Sequence, residues 1–318
     1  MRILVTGGTG YLGIAIVRAL EARGHEPVIF ARTASSSGLA HRLVDGDIRD
    51  AAAVSRAATG CDAVCHVAAL VSLWQRRARE FDEVNIGGLR HVLAAADAHG
   101  LARIVYTSSF LARPPAGRSA PLEANDYQRT KVRALALARE AAGRGAPVIS
   151  LVPGVLYGPG PATEGNLVGR LMTDHLAGRL PGAIGPERVW SFAFVEDVAA
   201  GHVAALERGT PGREYSLGGE NAPQRALFEA VRDRTGRRLP RRIPFVAASL
   251  AGALDEWRAA LTGTPPRVTR GAVTIFRHDW PLDSAPTVRD LGYRPTPLAE
   301  GLARTLDSLL GGAQDGRW

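Results

Sequence analysis

Lysine is almost missing from this chain: Lys131 is the only one among 39 lysines and arginines in 318 residues. Ammonium and guanidinium differ in shape, donors and pKa, so the lone amine singles out position 131 as one where an amine is needed. Cysteine is nearly as scarce. Cys61 and Cys65 share a short apolar segment, without the further Cys or His of a zinc site, so they read as two small buried hydrophobes and no metal is expected. Aromatic residues are 6% of the chain and charged residues 22%, against 46% hydrophobic, which excludes disorder and leaves one large domain or two unequal lobes. No apolar run approaches the ~20 residues of a membrane helix. Met1-Arg2-Ile3-Leu4-Val5 runs straight into glycines instead of a secretory hydrophobic region, so the protein is expected to be cytoplasmic, with no membrane partner.

Acidic residues number 31, leaving a formal charge of +8. The arginines are scattered, apart from Arg76-Arg77-Ala78-Arg79 and a cluster between Arg232 and Arg242. Neither is interleaved with aromatics that would stack on bases, so both read as solvated helix faces and no nucleic-acid partner is expected.

Short apolar segments at 2–6, 26–31, 43–46, 62–67, 102–107 and 147–152 alternate with helix-period segments near 11–23, 50–59, 80–99 and 127–143. That alternation predicts an α/β fold of the Rossmann type, a doubly wound parallel sheet over residues 1–160. Beyond it the pattern is less regular, with helical stretches near 164–178, 196–208, 223–236, 245–262 and 297–311 between Pro- and Gly-containing turns. Residues 161–318 are expected to form mainly a smaller, mostly helical substrate lobe, with a segment near 188–208 returning to the first.

Thr6-Gly7-Gly8-Thr9-Gly10-Tyr11-Leu12-Gly13 follows the first strand directly and opens a helical run. Glycines three apart allow a tight turn and close backbone approach, and the helix start offers N–H groups and a positive dipole end to a pyrophosphate. The loop, with Thr9, Tyr11 and Leu12 beside Gly7, Gly10 and Gly13, is therefore expected to bind a dinucleotide. The second strand ends in Ala31-Arg32, where an acid would hold the ribose 2′-hydroxyl of NAD. An arginine suits the 2′-phosphate of NADP, with Thr33, Ser35 and Ser36 as further donors, so NADP(H) is expected in preference to NAD. Asp47, followed by Ile48, is placed either near the adenine amino group or in a helix-entry turn.

Further along come Gly46-Asp47-Ile48-Arg49-Asp50, His66-Val67-Ala68-Ala69, Asn85-Ile86-Gly87-Gly88, Val105-Tyr106-Thr107-Ser108-Ser109, Tyr127-x-x-x-Lys131, Pro153-Gly154-Val155 and Phe194-Val195-Glu196-Asp197. Together with the glycine loop, these ordered motifs resemble the extended short-chain dehydrogenase/reductase family, also labelled NAD-dependent epimerase/dehydratase, over nearly the whole chain. Within it the chain looks most like dihydroflavonol-reductase-like proteins and a neighbouring sugar-epimerase-like branch. The resemblance implies a catalytic set of Ser109, Tyr127 and Lys131, with Ser108 and Thr107 as adjacent alternatives to Ser109. It implies that Lys131 also bonds the nicotinamide ribose, that Tyr127, Ala68, Ala69, Pro153 and Val155 contribute to the cofactor site, and that helices at 80–99 and 127–143 pair in a homodimer.

Read on their own, Tyr127 and Lys131 stand at i and i+4 on one helix face, where an ammonium lowers a phenol from its usual value of about 10. Tyr127 is then suited to exchange a proton with a carbonyl oxygen. His66, His91, His99 and His202 read as structural and Asp197 as a helix N-cap, and the resemblance implies that Asn85 ties backbone segments near the active site. The expected activity is NADP(H)-dependent reduction of a small ketone or aldehyde, or the reverse; the alternative is a nucleotide-sugar epimerase or dehydratase with tightly bound NAD. The pocket is expected between the lobes, lined by Leu70, Val71, Trp74, Phe110, Leu156, Phe192 and residues of 245–280.

Overall fold

Ile3, Leu4 and Val5 are all buried in the first strand, as a strand covered on both faces requires. The computed structural model describes residues 1–160 and 163–314; residues 161, 162 and 315–318, at the two ends of the expected second lobe, lie outside the described residues. The first half runs β1 (Arg2–Thr6), α1 (Tyr11–Ala22), β2 (Glu26–Ala31), β3 (Arg42–Asp45), α2 (Ala51–Ala58), β4 (Ala63–His66), α3 (Arg79–Asp82), α4 (Gly88–His99), β5 (Arg103–Thr107), α5 (Asp126–Gly143) and β6 (Val148–Pro153). The second half runs β7 (Val155–Tyr157), α6 (Leu167–Leu176), β8 (Ala183–Ile184), β9 (Val189–Phe194), α7 (Val195–Arg208), β10 (Glu214–Leu217), β11 (Asn221–Pro223), α8 (Arg225–Thr235), β12 (Arg242–Ile243), α9 (Phe245–Thr262), α10 (Arg270–Phe276), α11 (Ala285–Leu291) and α12 (Leu298–Gln314).

The central sheet has seven strands in the order β10-β6-β5-β4-β1-β2-β3, every neighbouring pair parallel. The fold is the expected Rossmann-type, doubly wound sheet. One face carries α1 and α7 over Ile3, Val5, Ile29 and Cys65; the other carries α2, α4 and α5 over Leu4, Val28, Val64 and Ile104. Strand order reverses between β1 and β4, and there two loops diverge to open a crevice at the carboxyl ends of the strands.

The second half adds what the sequence pattern did not resolve. β10 comes from residue 214 onward to complete the large sheet, β7, β9 and β11 form a three-stranded sheet, and β8 pairs with β12. Most of these strands are two to four residues long, too short for alternation to register. The expected single helix near 80–99 is three pieces: α3, a π-helical turn over Glu83–Gly87, and α4. The helices α10 and α11, seven residues each, are also additions.

Candidate active site

Thr6 closes β1 opposite His66 of β4, and its hydroxyl bonds His66 Nδ1 at 2.8 Å while accepting from the Ala68 N–H at 3.3 Å. The two loops at the strand-order reversal are thereby pinned side by side. Gly7 adopts φ +72°, and a Cβ there would meet the Ala68 backbone at 2.8 Å; a Cβ on Gly13 would lie 2.1 Å from the Gly7 carbonyl oxygen. Neither position accepts a side chain. Helix α1 starts at Gly10 without any side-chain cap, so the N–H groups of its first turn face the crevice bare. Tyr11 lies across the loop and donates its hydroxyl to the Gly158 carbonyl at 3.1 Å.

At the end of β2, Arg32 is exposed and has no hydrogen-bond or ion-pair partner among the described residues. Its charge acts on Asp47, whose carboxyl is held below the usual range chiefly by hydrogen bonds from Arg49. Asp47 accepts from the Arg49 N–H at 2.9 Å and from its guanidinium, so it does build the turn into α2, while Asp50 caps that helix through the Ala52 and Ala53 N–H groups.

The other end of the crevice is built where β5 meets α5. Asn125 caps α5 by accepting from the Gln128 N–H, and buried Gln128 donates to the Leu111 carbonyl at 3.1 Å. This ties the start of α5 to the short turn Phe110–Ala112 that follows Ser109, bringing the Ser109 hydroxyl within hydrogen-bonding reach of the Tyr127 phenol. One helical turn on, buried Lys131 donates from Nζ to the Thr107 carbonyl at 3.1 Å and sits 6.0 Å from the Tyr127 ring centre. Of the three neighbouring hydroxyls, Thr107 is bonded to His202 Nε2 at 2.8 Å, Ser108 is buried beside the Tyr106 phenol, and Ser109 is the one beside Tyr127.

Asn85 sits in the π-helical turn. It accepts from the Leu70 N–H at 2.7 Å and donates to both the Leu70 carbonyl and the Thr130 hydroxyl, clamping the loop after β4 to α5. Gln128 was not singled out by its residue type; its place three residues after the Asn125 cap was the only available signal.

Burial pushes the Tyr127 phenol up to about 12, against an opposing pull from the Ser109 hydroxyl. The lowering expected from Lys131 is not realised, because the amine is turned toward Thr107 and is itself pushed down to about 8 by burial. Tyr127 is thus a protonated phenol near neutral pH beside an amine that is mostly charged there.

The four histidines are all bonded: His66 and His202 as above, His91 to the Ile48 carbonyl and His99 to the Ser55 hydroxyl. Burial pushes His66 down to about 3, with the Lys131 charge acting in the same direction, and His202 down to about 4. The unfolded chain takes up these protons near pH 6.5 and the folded chain does not. Stability is therefore full above pH 6.5 and is lost as pH falls toward 4, by about 1.4 kcal/mol per pH unit for each histidine. Urea melts between pH 7 and pH 5 check this, and His202→Gln is expected to remove about half of the histidine contribution to the slope. An unchanged slope would assign the acid loss to other groups.

Asp197 is not a helix cap. Helix α7 begins at Val195, and the Asp197 carboxylate accepts from the Thr296 N–H at 2.6 Å and hydroxyl at 2.9 Å, joining α7 to the segment before α12. The arginine clusters are only partly helical, since Arg76, Arg77 and the run from Arg237 to Arg242 lie on loops and the short β12.

The glycine loop, the end of β2 and the junction of β5 with α5 face one continuous cleft of about 2350 Å³. Gly7, Thr9, Gly10, Tyr11, Leu12 and Gly13 line it, as do Arg32, Asp47, Ile48, Ala68 and Ala69, and then Ser109, Tyr127, Lys131, Pro153 and Val155. Leu70, Val71, Trp74, Phe110 and Leu156 line its inner part together with Ala247, Ala251, Ala272 and Phe276. Phe192 does not. Its ring is buried in the second-lobe core against Tyr157, because β9 is the middle strand of its small sheet.

The profile described as the NAD dependent epimerase/dehydratase family matches residues 3–218. Sterol demethylase protein B of Methylococcus capsulatus is 32% identical, with 95% of this chain and 96% of that protein covered. 2-alkyl-3-oxoalkanoate reductase of Stenotrophomonas maltophilia is 31% identical, with 96% and 98% covered. Among solved structures, a double mutant of dTDP-glucose 4,6-dehydratase from Streptomyces venezuelae with NAD bound superposes with a TM-score of 0.79 at 26% identity, covering 99% of this chain and 98% of that one.

Proposed function

Since the chain belongs to the NAD-dependent epimerase/dehydratase family, we infer that it is an NADP(H)-dependent reductase of a hydrophobic ketone or aldehyde, working through Ser109, Tyr127 and Lys131. The broader class, an NAD(P)-dependent oxidoreductase of the extended short-chain dehydrogenase/reductase type, is fixed by the family and the reductase relatives. The observation that carries the finer reading is the meeting of a protonated Tyr127, the only lysine and the Ser109 hydroxyl beside that phenol in the same cleft as the bare glycine cradle.

The cradle fits a dinucleotide: the close approach of Gly7 to Ala68 and the uncapped start of α1 leave backbone N–H groups for a pyrophosphate. Arg32 would hold a 2′-phosphate, and Lys131, which uses one of its three donors on Thr107, has others left for a ribose. A bound nicotinamide supplies or accepts the hydride. Ser109 uses its oxygen to accept from the Leu111 N–H at 3.2 Å and keeps its proton to donate toward a substrate oxygen. Tyr127 passes its phenolic proton to that oxygen as the carbonyl becomes an alkoxide. The apolar lining of the inner cleft and the keto acid in the name of the reductase relative support a hydrophobic carbonyl substrate.

A second reading, a nucleotide-sugar epimerase or dehydratase, is favoured by Arg170, which lines the cleft without an ion pair among the described residues and could meet a diphosphate. The test is NADPH oxidation with a panel of 2-alkyl-3-keto acids and aryl ketones, followed across pH. Turnover is expected, with kcat/KM falling above pH of about 8 as Lys131 loses its charge, and Lys131→Arg is expected to move that limb to higher pH. Tightly retained NAD, with no net oxidation of added NADPH, would transfer the assignment to the second reading.

A further inference from the structure

Helix α9 is built inside out. Its buried positions are small, Ala248, Gly252 and Ala259, with Gly252 against the backbone of Thr269 and Arg270. Its large residues face solvent: Val246, Leu250, Leu254, Trp257 and Leu261 are each between 63% and 69% exposed. At ~100° per residue these five fall within an arc of about 80°, one unbroken apolar stripe along the helix. Scattered single hydrophobes on a surface need no explanation, but an aligned row of this size does.

The charges left unpaired at the ends of the stripe have one sign. Both carboxylates of the helix are engaged by arginines and backbone: Asp255 accepts from Arg258 and from the Arg267 and Val268 N–H groups, and Glu256 accepts from the Arg270 N–H and guanidinium. The arginines at the ends are not so neutralised. Arg241 and Arg242 lead into α9, the Arg76 guanidinium lies beside Gly263 where the helix stops, and Arg277 stacks on Phe245. None of these four is in an ion pair with a carboxylate among the described residues.

We propose that this face is an interfacial docking surface for an anionic lipid bilayer, with α9 lying in the plane of the headgroups. An apolar stripe flanked by unneutralised arginines is the pattern that such a surface binds, through buried apolar area together with attraction to anionic headgroups. A second copy of the chain fits less well, because a twofold interface over the stripe would bring the same arginines of both copies together. Leu254 belongs both to the stripe and to the lining of the cleft, so the docked face adjoins the cleft mouth. This contact lies on the membrane surface without spanning it, and so departs from the expectation of no membrane partner.

The experiment is flotation of the purified full-length chain with vesicles of phosphatidylcholine alone and with vesicles containing equal parts phosphatidylglycerol. Binding to the anionic vesicles is expected to exceed binding to the neutral ones by about tenfold or more, and to weaken with salt. The triple variant Leu250→Gln, Trp257→Gln, Leu261→Gln is expected to lose about tenfold or more of it, and Arg241→Gln with Arg242→Gln to lose the preference for anionic lipid. These side chains are exposed, so unchanged melting of the variants controls for folding. No vesicle binding by the parent protein, or equal binding by the triple variant, overturns the proposal. So does a dimer in sedimentation velocity that the triple variant converts to a monomer while neither floats, which would assign the stripe to a second copy. The assay uses neither cofactor nor turnover, so its failure leaves the reductase reading standing.

Discussion

Tyr127→Phe is expected to lower kcat by about 10²–10⁴-fold while leaving NADPH binding and thermal stability close to those of the parent protein. The substitution removes one oxygen, the phenol beside Ser109, while the ring that packs near Lys131 is retained. Among the described residues no hydrogen bond reaches that oxygen apart from its contact with Ser109, so the expected loss is one of proton transfer. The checks are steady-state kinetics, NADPH fluorescence titration and a thermal melt, run together. A fall in kcat alone supports Tyr127 as the proton donor. A fully active variant would sink that role and leave Ser109 or a water as the acid, and a fall in NADPH affinity of the same size as the loss in rate would make the residue a binding element instead.

Arg32→Asp is expected to weaken NADPH binding by about 10²-fold and to turn the cofactor preference toward NADH, since a charge-assisted hydrogen bond contributes about 1.5–3 kcal/mol and a carboxylate in its place repels the phosphate. Arg32 is exposed at the end of β2, so replacing it breaks no hydrogen bond or ion pair among the described residues and removes only its weak pull on Asp47. Titration of the parent protein and the variant with both nucleotides checks this. Equal affinities of the parent for NADPH and NADH, unmoved in the variant, would show that Arg32 points away from the cofactor and that NAD serves this chain as it does the dehydratase neighbour.

The parallel sheet was legible because each of its first six strands is a short apolar run bounded by turn residues, and the spacing between them suits a crossover helix. β10 was not, for Glu214-Tyr215-Ser216-Leu217 has one buried face and four residues, and only its pairing with β6 makes it part of the sheet. At the site, residue type and spacing placed Tyr127 and Lys131 on one face of α5, and the scarcity of lysine pointed to the same residue. What spacing could not carry is the direction of a burial effect. The distance from an amine to a phenol and the depth of both are tertiary quantities, so a phenol expected to be acidified is held protonated in the folded chain. Gln128 and the π-helical turn under Asn85 escaped for a related reason: each acts through backbone groups of a distant segment, which composition does not reveal.

The last strand of the large sheet also bears on how the chain can be made. β6 ends at Pro153, but the strand that covers its outer edge arrives only at Glu214–Leu217, after a three-stranded sheet has begun and α7 has crossed back against α1. During synthesis, therefore, a nascent chain that has emerged as far as β6 carries an open parallel edge and one sheet face covered by α1 alone. Its glycine cradle and Tyr127 are already outside the ribosome, but the layer that holds them is still incomplete. The first lobe is therefore completed by residues of the second half, β10 at its edge and α7 on its face.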